Sequence, residues 1–209
     1  MHCTARFDSL TLDQAEIADA RFDACSFDST VFHGCRFIRC SFRGARMSDC
    51  HTQSCHFESC DFTGAHMGGS THESTSFANS KFAYAQLFSA VFRDCKLVGA
   101  GFEEAGLSGF TLTGGDWSYA NLRYFPLKGQ NLRRVRFVDA DLAEANLEGA
   151  DLREADLEGA NLHGVRLAGA DLRGANLHGI DLRTLDWKNV KIDLAQAVAL
   201  AHAYGAKVL

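Results

Sequence analysis

The sequence predicts an all-β solenoid, and two observations carry that prediction. The first is an apolar residue at every fifth position, seen most plainly in ADLAEANLEGADLREADLEGANLHG (residues 140–164). An amphipathic helix repeats its apolar face every 3.6 residues and a half-buried strand every 2, so a strict period of five fits neither. The second is that this register never slips. It runs from Phe7 through Phe22, Phe27, Phe32, Phe37 and Phe42 to Leu142, Leu147, Leu152 and on to Leu182, Trp187 and Ile192, which makes 38 units without an insertion. Only Thr52 and His72 place a polar residue in that central slot. A short repeat with one inward stripe cannot bury its apolar side alone and must stack on its neighbours, which is what a solenoid does.

The other positions of the unit follow. Two residues before each centre stands a small residue, such as Ala20, Cys25, Cys35, Cys40, Ala45, Cys50, Ala140, Ala145 or Ala150. Alternation by two along a locally extended piece turns this residue inward beside the centre. Two residues after the centre, Gly149, Gly159, Gly164, Gly169, Gly174 and Gly179 mark a corner that needs a permissive backbone. The chain is therefore expected to bend every five residues, with the remaining positions facing water and carrying the charge.

These A(D/N)LXX units resemble the pentapeptide-repeat family over residues 5 to 192. The resemblance implies a right-handed quadrilateral parallel β-helix with four units per coil. On that reading residues twenty apart are vertical neighbours, and 38 units make about nine and a half coils. At a strand spacing of ~4.8 Å the rod would be on the order of 45 Å long. Residues 1–192 then form one repeat domain, with a kink or bulge expected at 110–130. There Phe110 and Phe125 are too large for the small slot, Gly115 and Gln130 are unusual in it, and Pro126 removes a backbone donor.

After Ile192 the repeat stops. The segment DLAQAVALAHAYGAKVL offers Asp193 as N-cap with Gln196 three residues on, helix formers behind them, and Gly205 as a stop. A short C-terminal helix over part of 193–209 is expected to cap the last coil. This end also resembles that of the quinolone-resistance pentapeptide proteins, the MfpA and Qnr types, whose C-terminal helix and tail make a head-to-head homodimer. That resemblance gives Leu194, Val198, Ala201 and Tyr204 as the dimer interface. The uninterrupted register is closer to the MfpA type, because Qnr proteins break the rod with loops.

The residues that could carry chemistry have structural explanations. Of the eight cysteines, seven (Cys25, Cys35, Cys40, Cys50, Cys55, Cys60, Cys95) fall in the small inward slot and Cys3 lies outside the pattern. They read as apolar fillers, and parallel side chains on adjacent coils seldom suit disulfide geometry. Reduced thiols and the lack of a signal-like or membrane-spanning apolar run lead us to expect a soluble cytoplasmic protein. No CxxC pair or HExxH motif suggests a metal, and no cofactor is expected. GANLHGVR and GVRLAGAD mimic the spacing of a phosphate loop but lack its Lys and Ser/Thr. His33, His51, His56, His66, His163 and His178 occupy outward slots. His72, above Thr52, either turns outward through a local bulge or hydrogen-bonds Thr52 inside. No nucleophile with an orienting partner is visible near it, so no enzyme and no catalytic residue is expected.

Charge decides what could bind. The net charge is −5, but residues 139–158 hold Asp139, Asp141, Glu144, Glu148, Asp151, Glu154, Asp156 and Glu158 against Arg153 alone. B-DNA carries one charge per ~1.7 Å of axis, roughly three over the rise of one coil, so this ring locally exceeds it. The preceding coil is basic, and stacking by twenty pairs Lys128 with Glu148, Arg134 with Glu154 and Arg136 with Asp156. The same spacing pairs Glu16 with Arg36, Asp19 with Arg39, Asp23 with Arg43 and Glu73 with Arg93, ladder pairs worth a few tenths of a kcal/mol each. Asp139, Asp141, Glu144, Asp151, Glu158 and Asp171 have no basic residue twenty positions before them and are the expected partner-binding acids. The resemblance names the partner as DNA gyrase, bound by a rod that imitates DNA, with no nucleic acid or membrane as partner. A scaffold role without a topoisomerase partner is the alternative.

Overall fold

In the computed structural model, which describes residues 5–208, the chain winds into a parallel β-solenoid in which every lap takes twenty residues. Nine three-residue strands form, five of them opening on an outward Thr or Val. They are β1 (Thr11–Asp13), β2 (Glu16–Ala18), β3 (Val31–His33), β4 (Arg36–Ile38), β5 (His51–Gln53), β6 (His56–Glu58), β7 (Thr71–Glu73), β8 (Val91–Arg93) and β9 (Thr111–Thr113). Two parallel sheets result, ordered β1-β3-β5-β7-β8-β9 and β2-β4-β6, with Phe32 over Leu12, Thr52 over Phe32 and Phe57 over Phe37. The other sides are tight turns that touch the next lap through single bridges such as Arg6–Ser26–Arg46–His66–Gln86. In those units the carbonyl of the central residue accepts from the amide three residues on, as Phe22 does from Cys25. The residue before that amide has φ near +60°, at Ala24, Ser29 and Tyr84 as well as at the glycines. This is a type II turn, which requires positive φ at its third position and explains why small residues and glycine recur there.

The centres and small slots form one dry column. Phe27, Phe32, Phe37, Phe42, Phe57, Phe62, Phe77, Phe82 and Phe92 are fully buried, as are Leu122, Leu142, Leu147 and Leu152. Rings one lap apart lie parallel at the lap spacing, 5.0 Å for Phe37–Phe57 and for Phe42–Phe62. All seven cysteines of the described part are buried thiols, and Cys35, Cys55 and Cys95 donate to carbonyl oxygens of the lap below. Burial pushes the Cys50, Cys60 and Cys95 thiols up to about 12 and Cys55 to about 11. Cys3 lies outside the described residues.

His72 lies inside. Its Nδ1 is 2.8 Å from Thr52 Oγ1 and its Nε2 is 2.9 Å from Ser70 Oγ, while Thr52 also donates to Thr75 Oγ1 at 3.1 Å. The ring packs against Phe77 and Phe92. Every buried side-chain polar atom among the described residues is thus partnered.

Among the described residues the ladder is interrupted in two places: between the laps 101–120 and 121–140, and again where the lap 161–180 meets the last partial lap, which lacks bridges 161–181 and 166–186. At the first of these a packing cause is visible. Phe110 and Phe125 both point inward and are buried, their rings edge-to-face at 5.5 Å. Where bridges 106–126 and 111–131 would stand there are none. Gln130 fills part of the gap: its amide donates to Phe110 O at 2.9 Å and accepts from Leu112 N at 3.0 Å, contacts that a peptide of the next lap would otherwise make.

The C-terminal helix α1 (Leu194–Ala203) closes the rod. Asp193 accepts from Gln196 N and the Gln196 side chain accepts from Asp193 N, a reciprocal capping box. Gln196 Nε2 also donates to Leu172 O at 2.6 Å and Ala175 O at 3.0 Å, so one side chain satisfies carbonyls of the last open lap. Leu200 and Ala203 pack on the core. No helix among the described residues is long and apolar enough to cross a membrane.

Candidate functional site

The outward residues flank each inward centre, one before and one after, and so lie on a common side of the rod. This geometry corrects the expected pattern of charge. Pairs twenty apart form at Lys128–Glu148 (3.1 Å), Arg134–Glu154 (2.7 Å), Arg136–Asp156 (3.7 Å), Arg39–Asp19 (2.7 Å) and Arg93–Glu73 (3.0 Å). A second class joins residues two apart: Arg21–Asp23, Arg153–Asp151, Arg173–Asp171 and Arg183–Asp181. A third runs diagonally to the next lap, eighteen apart: Arg43–Asp61, Arg46–Asp28, Arg123–Asp141 and Arg166–Glu148. Hence Glu16 does not pair with Arg36, which reaches Glu58 at 3.9 Å, and Arg43 turns to Asp61 rather than Asp23.

The six expected partner-binding acids divide accordingly. Asp141, Asp151 and Asp171 are not unpaired, because arginines at the other two spacings reach them. Asp141 accepts from Arg123 at 3.3 Å and from Asn161 Nδ2 at 2.9 Å. Asp151 takes two bonds from Arg153, and that hydrogen bonding holds its carboxyl below the usual range. Asp171 is bound by Arg173 and pushed down to about 2, chiefly by those side-chain bonds. Glu158 lies 3.5 Å from His178 Nδ1 and accepts from Asn176 Nδ2. Asp139 and Glu144 form no ion pair. Both sit at corners with positive φ, and their carboxylates lie over Gly159 and Gly164 of the next lap.

Further acids lie outside the twenty-residue pairs, and Asp49, Asp94 and Asp186 among them form no ion pair. Glu103 and Glu104 form no ion pair, and Glu104 stands one lap below Tyr124 and two below Glu144. Tyr84, Glu104, Tyr124 and Glu144 therefore make one exposed column up a single corner, the tyrosines 64% and 68% accessible. The Arg123 guanidinium lies over the Tyr124 ring at 5.6 Å, a cation–π contact. The sequence carries this signal, since these residues stand twenty apart in outward slots. At the C-terminus Leu194 (80% accessible) and the half-buried Val198 and Ala201 lie on the side of α1 away from Gln196, Leu200 and Ala203, and Tyr204 (65%) follows the helix as its C-cap. No cluster of His, Cys, Asp or Glu among the described residues could hold a metal.

A rod of this kind, with a packed axis and ridged sides, offers surface rather than an enclosed site, and it defines the class of protein: a parallel β-solenoid whose outer residues are free to vary. The family model for pentapeptide repeats matches eight copies over residues 15–94 and 107–184. The chain belongs to the pentapeptide-repeat family. Among solved structures, two trypsin-treated forms of QnrB1, described as a plasmid-mediated fluoroquinolone resistance protein, superpose with TM-scores of 0.83 and 0.84 at 23% identity. These matches cover 95% of this chain and 100% and 99% of the other. Full-length QnrB1 superposes at 0.78 with 22% identity, over 96% of this chain and all of that one. At such identity the likeness shows the fold alone. No curated protein matches the chain.

Proposed function

We propose that this protein is a non-catalytic binder of DNA gyrase. The rod occupies the DNA-binding saddle of the enzyme in place of DNA, as a homodimer joined through the outer side of α1 at Leu194, Val198, Ala201 and Tyr204. By competition it inhibits gyrase or shields it from fluoroquinolones or a natural gyrase poison. No cofactor, nucleic acid or membrane enters this reading, and the site of action is the cytoplasm.

The observation that carries the proposal is the pairing pattern: on a rod shaped like that of a fluoroquinolone resistance protein, several corner acids, Glu104, Asp139 and Glu144 among them, keep their charge uncommitted. Glu158, with only a histidine and an amide beside it, extends this set. Basic surface on the enzyme would meet them, with steering that weakens as salt rises. Asp141, Asp151 and Asp171, held by arginines of the rod itself, contribute less to contact and more to local order.

The self-paired charge also favours the second reading, a scaffold with no topoisomerase partner, because so many carboxylates already have intramolecular arginines. A supercoiling assay separates the two. The gyrase reading predicts inhibition, or protection from a fluoroquinolone, at micromolar protein; neither effect, with no gyrase retained on immobilised protein, leaves the scaffold.

A further inference from the structure

We propose that the rod contains a hinge between the laps 101–120 and 121–140, and that its two halves bend about the side formed by residues 116–119 and 136–138. On that side the ladder is intact: Trp117 N donates to Arg136 O at 2.8 Å, Tyr119 N to Val138 O at 2.8 Å, and Arg136 N to Gly115 O at 3.1 Å. Asn121 N, next along, still reaches Ala100 O at 2.9 Å. Beyond it the laps part. In the lap below, Phe82, Tyr84, Leu87 and Ser89 donate upward to Gly101, Glu103, Gly106 and Ser108. Their counterparts Phe102, Glu104, Leu107 and Gly109 make no such bond to the lap above.

The cause is steric and chemical. Two phenylalanines, Phe110 and Phe125, stand in slots that mostly hold Ala, Cys, Ser or Thr, and they meet Phe102 and Trp117 within the column. Their volume holds the laps apart, and Pro126 has no N–H with which to close them. A cleft of roughly 240 Å³ opens there between Phe102, Ala105, Leu107 and Tyr124, and Ala105 and Leu107 are less buried than the residues of their slots in neighbouring laps.

Bending about the zipped side therefore loads a single ladder bond off that side, Asn121 N to Ala100 O. The load across the open sides falls on the Gln130 amide of the upper lap, which donates to Phe110 O and accepts from Leu112 N of the lower lap. A solenoid is stabilised lap by lap through nearest-neighbour contacts, so a joint that lacks most of its bonds is where it yields first. The two halves can then present their corners at different angles to one partner. The hinge stands or falls without the gyrase reading, because its test uses no partner.

The test measures two distances in the full-length protein by electron–electron double resonance. Nitroxides are carried on an unnatural amino acid so that the native thiols are left alone. One pair, at Ser48 and Ala168, spans the joint on the open side. The other, at Glu58 and His178, spans it on the zipped side with the same 120-residue separation. A hinge gives a distribution for Ser48/Ala168 at least twice as wide as for Glu58/His178. Equal widths, whether or not the means differ, overturn it. Hydrogen exchange on the unlabelled protein gives a second readout: the amides of Phe102, Leu107 and Gly109 exchange at least 100-fold faster than those of Phe82, Leu87 and Ser89, while Trp117 and Tyr119 stay protected. Loss of protection at Trp117 and Tyr119 as well would mean that the joint melts rather than hinges, which also overturns the proposal.

Discussion

Replacing His72 with phenylalanine should flatten the acid dependence of stability. In the native rod the imidazole is enclosed, and burial, with a smaller contribution from the charge of His51, pushes it down to about 3. In the unfolded chain a histidine titrates near 6.5. Because the native value is depressed, the neutral form is the one that folds. Stability is complete above pH ~6.5 and is lost progressively as pH falls towards the native value. The slope approaches about 1.4 kcal/mol per pH unit, so between pH 7 and pH 5 the wild type should lose roughly 2 kcal/mol, a large share of a typical stability. The His72→Phe rod has no such group, and its ring can stack on Phe77 and Phe92 as other centres do. Thr52 keeps its bond to Thr75 Oγ1, and Ser70 keeps its bond to Met67 O, so neither hydroxyl is stranded. Urea denaturation of both proteins at pH 7, 6 and 5 measures the difference, and subtraction removes the contribution of the exposed histidines. If the variant shows the same slope as the wild type, the buried network does not govern acid stability and the reasoning fails.

Other consequences are as direct. Leu147→Ala empties a fully buried central slot and should cost about 2–5 kcal/mol by denaturant titration. Gly115→Ala should be far more harmful than Gly149→Ala in the same assay. At Gly115 a Cβ collides with the Cys95 carbonyl oxygen at φ +87°, whereas at Gly149 it meets open space and pays only for positive φ, about 1–2 kcal/mol. The thiols of Cys50, Cys60 and Cys95, buried and pushed up to about 12, should resist a disulfide reagent at pH 8 until denaturant is added, as read by peptide mapping. Val198→Asp combined with Leu194→Glu should convert the proposed homodimer to monomer in analytical ultracentrifugation while leaving the circular dichroism spectrum unchanged.

The axis of this fold was legible because one physical demand, an inward residue every five, is written into every unit from Phe7 to Ile192. The twenty-residue lap was not in the period itself; it came through the family resemblance, and the registers Thr11–Val31 and Glu16–Arg36 agree with it. Charge was half legible. Vertical pairs such as Lys128–Glu148 followed from the lap length, but Arg153–Asp151 and Arg123–Asp141 did not. An arginine is long enough to reach along its own side or diagonally to the next lap, and a rule based on one spacing cannot see that. The C-terminal cap was clear from Asp193 and Gln196, since a capping box is local. The same glutamine's second role, donating to Leu172 and Ala175, required knowing where the last lap lies. For His72 the sequence left two orientations, and partners at Thr52 and Ser70, both polar and both within the column, decide for the inward one.

The measurement that bears most directly on the functional reading is the affinity of purified protein for the gyrase subunits across a series of salt concentrations, with a Glu104→Gln, Asp139→Asn, Glu144→Gln triple variant alongside. A rod that docks through its free corner acids binds at micromolar concentration or better at low salt, weakens steadily as salt rises, and loses at least tenfold in the variant with a shallower salt dependence. Absence of binding at low salt, or binding indifferent to both salt and the three substitutions, would contradict it.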